Sequence, residues 1–166
     1  MKTGFPLTPR PRQLHNRKQM KTNLRILTVA VALGVGLFTA AAAEKTEAGP
    51  KGGRLLAKTE PRAEFFVEKD RSVTIAFYDE KLKPVPVADQ TVTVIADAKG
   101  GKTTLAFEKK GNVLVSKTKL PEGDGYNVVV QFKQTAEAKP LNLRFKLDLH
   151  TCGECKLAEY ACTCDH

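Results

Sequence analysis

All four cysteines of the chain lie in its last seventeen residues, HTCGECKLAEYACTCDH. They run C-x-x-C at Cys152 and Cys155, then six residues, then C-x-C at Cys162 and Cys164, with His150 and His166 at the two ends. Thiolate and imidazole are the ligands of soft and borderline metal ions, and zinc takes four of them in a tetrahedron. C-x-x-C spacing lets one tight turn aim two sulfurs at a single ion, and Gly153 eases the backbone of that turn. Cys162 and Cys164 are separated only by Thr163, so in an extended segment both side chains leave on the same side. The stretch KLAEYA would close the loop between the two pairs. The candidate ligand set is Cys152, Cys155, Cys162 and Cys164, with His150 or His166 as a substitute or outer partner and Zn2+ as the ion.

Two other uses of the same sulfur are open. Four cysteines in an oxidising compartment form two disulfides by default. The local pairing would strain the C-x-C ring, and a crossed pairing avoids that. A thioredoxin-like redox pair would need a helix N-terminus to lower the thiol pKa, and the sequence offers none. The only histidines after residue 43 both flank the cysteines, which favours a Cys/His ligand set. Energetics point the same way: structural zinc contributes ~10–16 kcal/mol, a disulfide closing a short loop only ~3. The compartment argues for disulfides, because exported thiols meet oxidant early.

That compartment is read from the other end of the chain. The formal charge is +9, but seven of the 27 basic residues and none of the 18 acidic ones precede Glu44. The remainder, 20 basic against 18 acidic, is a mixed surface with no nucleic-acid footprint. From Met20 the text reads MKTNLRILTVAVALGVGLFTAAAAE. Lys21 and Arg25 form a positive n-region, Ile26–Phe38 an apolar core, and TAAAA the small residues of a cleavage site after Ala43. Residues 1–43 are therefore expected to be a signal peptide with an upstream extension, the real start being Met20. The exported protein would be periplasmic or secreted and without a membrane span.

Between leader and tail the chain has to build whatever positions the cysteines. EKTEAGPKGG (44–53) reads as a flexible arm from its polar, Gly/Pro-rich composition. Residues 54–149 then show period-two alternation broken by turn signals. AEFFVE, SVTIAFYD, TVTVIAD, TTLAFE, VLVSKTKL, YNVVVQF and PLNLRFKLDL are the strands, and KDR, KGGK, KKGN and PEGDG are the turns. EKLKPVPVADQ reads as a loop, since Pro84 and Pro86 cannot both sit in a paired strand. The expectation is an all-β protein, an antiparallel immunoglobulin-like β-sandwich of seven or eight strands, with a Cys-rich tail at 150–166. A domain of this size forms a core without covalent staples.

GPKGGRLL followed by AEFFVEKDRSVTIAFYDEKLKPV resembles small periplasmic immunoglobulin-like domains that accompany heavy-metal efflux and resistance systems. The likeness covers about forty residues. It implies a compartment and metal-efflux components as neighbours, and no catalytic residues. Copper-resistance sandwiches of the Met/His kind fit less well, because both methionines precede residue 21.

No enzyme is expected. No histidine falls in 54–149, which removes the commonest general base. Glu64, Glu68, Asp79 and Glu80 read as solvated residues of polar faces and turns. The function expected from the sequence is metal handling through the C-terminal cysteines; the alternative is an interaction module with a disulfide-stapled tail.

Overall fold

A computed structural model describes residues 45–164, apart from 57 and 59. The leader lies outside them. The strands are β1 (Arg54–Leu55), β2 (Arg62–Val67), β3 (Val73–Tyr78), β4 (Pro84–Val85), β5 (Thr91–Ala98), β6 (Gly101–Lys110), β7 (Val113–Ser116), β8 (Tyr126–Lys133) and β9 (Leu141–Leu147). A 3-10 turn, η1, spans Glu159–Ala161 in the tail. Every pairing is antiparallel, so the all-β expectation holds.

The strands follow one hydrogen-bonded path, β1-β2-β3-β7-β6-β5-β8-β9, with β4 beside β3. The long strand β6 makes the path continuous. Its first part pairs with β5, from Gly101 opposite Ala98 to Ala106 opposite Thr93. Its last four residues, Phe107 to Lys110, pair with β7. The sheet is thereby folded over on itself as a half-barrel, and its two halves face each other across the interior. Phe65 of β2 meets Phe145 of β9 edge-on at 5.3 Å, and Phe77 of β3 meets Phe132 of β8 at 5.9 Å.

Alternation is the reason these segments are strands. In β8, Tyr126, Val128, Val130 and Phe132 turn inward while Asn127 and Gln131 face out. In β5, Val92, Val94 and Ala96 do the same. Burying such a face contributes roughly 25 cal/mol per Å² of apolar surface. The two-residue turns at Lys99–Gly100 and Gly111–Asn112 fix the register of the hairpins they join, Gly111 taking the φ of +62° that favours glycine.

Four local expectations change. Pro84 does pair, opposite Tyr78, at the start of a two-residue edge strand where its missing N–H costs nothing. Every residue of β3 is buried, and loop 49–53 covers the outer face of the neighbouring β2. Glu64, read as solvated, is 0 % exposed beneath that loop. Its Oε1 accepts the N–H of Gly53 at 2.7 Å and of Lys51 at 3.0 Å, and its Oε2 accepts the Tyr78 hydroxyl at 2.7 Å. The segment read as a flexible arm is the lid over this buried carboxyl group.

Candidate metal centre

Past β9 the chain makes a small hairpin that brings the sulfurs together. Thr151 bridges Ala158, the Cys152 N–H donates to Leu157 O at 2.7 Å, and the Glu159 N–H donates to His150 O at 2.9 Å. The turn at its tip carries Cys155 and ends at Lys156, whose φ of +63° reverses the chain. η1 then carries Tyr160 and Ala161 into the interior and delivers Cys162 and Cys164 back to the first pair.

The centre of the tail belongs to the core. Tyr160 is 3 % exposed, stacks on Phe145 at 6.2 Å and meets Phe65 edge-on at 5.8 Å. Its hydroxyl accepts the Val67 N–H at 3.1 Å, and its carbonyl accepts the Arg54 guanidinium at 3.3 Å. Composition alone gave no sign of this docking. The signal was Tyr160 itself, a large aromatic in an otherwise polar tail.

The four sulfurs all lie within 4.8 Å of one another. Cys162 Sγ is 3.3 Å from Cys152 Sγ and 3.6 Å from Cys155 Sγ, and Cys152 Sγ is 4.0 Å from Cys164 Sγ. Four sulfurs bound at ~2.3 Å to one tetrahedral ion stand ~3.8 Å apart. The separations bracket that figure, and no disulfide joins the described cysteines. The four could hold a metal ion.

Their electrostatics are those of a crowded thiol group. The Cys155 thiol is lowered, first by the Leu157 N–H and then by the Thr163 N–H. The Cys164 thiol is pushed up, by burial first and then by the neighbouring sulfurs. At Cys162 the Cys164 N–H pulls downward, but burial together with the Cys152 and Cys155 thiols leaves it raised. Crowded thiols restrain one another's ionisation, and a cation among them removes that restraint.

His150 stands outside the sulfur cluster. His150 turns its ring to Asp148, Nδ1 standing 2.7 Å from Oδ1, and its side chain is 77 % exposed. Asp148 also accepts the His150 backbone N–H at 3.0 Å, so the histidine is held by its own neighbour in sequence. That contact raises the His150 pKa. His166 lies outside the described residues. No family model, curated protein or solved structure matches the chain.

Proposed function

We propose that this is an exported, non-enzymatic metal-handling protein that binds one soft ion, zinc in the first place, through Cys152, Cys155, Cys162 and Cys164. The observation that carries the reading is the convergence of four sulfurs, all within 4.8 Å, from two separate motifs. Four thiolates in a tetrahedron suit zinc, which has no geometric preference of its own to violate. Export rests on the sequence of the first 43 residues. A setting among metal-efflux components rests on the resemblance of the first strands, and the immunoglobulin-like description of the folded sheet rests on the number and spacing of its short alternating strands. No helix among the described residues is long and apolar enough to cross a membrane.

A second reading has an observation of its own. The Cys152–Cys164 and Cys155–Cys162 contacts, at 4.0 and 3.6 Å, share no residue, so the same cluster could oxidise to two disulfides and staple an interaction module. Zinc competition against a chromogenic chelator separates the two. Reduced protein should bind about one equivalent with a structural-site free energy of ~10–16 kcal/mol, releasing protons as it does so. If it binds zinc no more tightly than the quadruple Cys→Ser variant, the metal function is abandoned. Thiols that react only after reductant in protein from its native compartment would establish the staple.

A further inference from the structure

The four sulfurs are not equivalent. Cys152 and Cys162 are buried, at 1 % and 8 % exposure, whereas Cys155 and Cys164 are only half-buried. Each motif supplies one sulfur of each kind. The backbone of the inner pair is itself tied into the fold, whereas Cys155 is held at its sulfur by the Leu157 and Thr163 N–H groups. The Cys152 N–H is tied to Leu157 O, the Cys162 N–H to Glu159 O at 3.1 Å, and Cys162 directly follows the buried pair Tyr160–Ala161. On the outer side, Cys155 rides a turn whose Gly153 faces open space.

Resting on the metal reading above, we infer that a bound ion is exchanged through Cys155 and Cys164, and that the acceptor is a thiol-bearing partner such as a Cys-x-x-Cys segment. Among the described residues, Cys152 and Cys162 are closed off, so an incoming thiol reaches the ion from the side of the half-buried Cys155 and Cys164. Its sulfur–metal bond forms as the Cys164 or Cys155 sulfur–metal bond breaks. The proton lost by the incoming thiol is taken up by the departing thiolate, so neither charge nor oxidation state changes. A second such exchange removes the other outer ligand. The ion then bridges the acceptor and the inner pair, which releases it last. The half-buried arrangement makes the centre a transfer site, with two sulfurs that hold and two that let go.

The test uses the exported chain loaded with one zinc and, as acceptor, a reduced peptide carrying one Cys-x-x-Cys. The transfer rate should rise in proportion to peptide concentration. In the loaded protein, brief alkylation followed by peptide mass analysis should modify Cys155 and Cys164 at least ~10-fold faster than Cys152 and Cys162, following their exposure. A transfer rate independent of peptide concentration would mean that the tail opens before exchange, and overturns this route while leaving the site intact. Equal alkylation of all four cysteines overturns it as well. A reduced protein that takes up no zinc removes the metal reading and this route together.

Discussion

At the scale of single residues, Glu64 shows how a sequence can hide its own explanation. The run GPKGGR has the composition of a linker, and a carboxylate in an alternating strand has the look of a solvated face. Each reading is reasonable locally, and both fail because the two segments, more than ten residues apart, satisfy each other. The fit is tight: a Cβ at Gly49 would stand 2.2 Å from Glu64 Cδ, and one at Gly53 would stand 2.3 Å from Phe65 O. Gly53→Ala must therefore move backbone, and the expected cost is about 1–3 kcal/mol. Glu64→Ala leaves the Lys51 and Gly53 N–H groups and the Tyr78 hydroxyl without their acceptor, for a loss of roughly 3 kcal/mol. Urea unfolding of the two variants checks both figures. A change within 0.5 kcal/mol for Glu64→Ala, the range of ordinary surface substitutions, would show that the buried carboxyl contributes little.

The elements divide by how local their causes are. β5, β8 and β9 were legible because alternation with period two is written in the strand itself. So were the hairpin turns, whose glycines mark them. Strand order was not legible, since nothing in β6 announces that it pairs with β5 at one end and β7 at the other. The tail lay between these cases. Its cysteines advertised a cluster, but its packing depended on Phe65 and Phe145, far away in sequence.

The tail is therefore not separable at Leu149, as a boundary drawn from composition would suggest. Ending the chain there removes Tyr160 from between two aromatic rings, and Tyr160→Ala alone should cost ~3–5 kcal/mol, the range for large buried aromatics. Thermal melts of the two variants test this, and an unchanged melt would place the tail outside the core. Metal removal should act on the same element. Without an ion to join the sulfur pairs, the loop carrying Tyr160 opens more often, and the Val67 amide loses its acceptor each time. Hydrogen exchange at Val67 should speed up when a chelator strips the metal, while the amide of Val94 in mid-sheet stays unchanged. Equal exchange at Val67 with and without metal would uncouple the centre from the docking of the tail.

For the whole molecule, the behaviour to expect is set by its tyrosines, three in number with no tryptophan beside them. All three phenols are raised above their ordinary value. Burial lifts Tyr160 to about 12 and is also the first cause at Tyr78, where the Glu64 carboxyl adds to it. At Tyr126 burial outweighs the opposing pull of Arg71. In the unfolded chain each phenol ionises near its free value of ~10. Above that pH the native state binds more protons than the unfolded one, so stability falls as pH rises. The contribution is whole below about pH 10 and is lost as the pH climbs through the folded values. The same residues join the two halves of the sheet to its additions: Tyr160 docks the tail, Tyr78 holds the carboxyl under the loop, and Tyr126 takes Arg71 beside the Pro121–Gly123 turn. Their ionisation is thus expected to coincide with global unfolding. Absorbance at 295 nm should show less phenolate in the native protein at pH ~10.5 than in urea, where more than half is ionised. The native curve should then rise in one steep step together with the loss of β-sheet circular dichroism. A gradual rise centred near pH 10, with the sheet signal intact, would show that the tyrosines are solvated and that the tail and loop do not close the core.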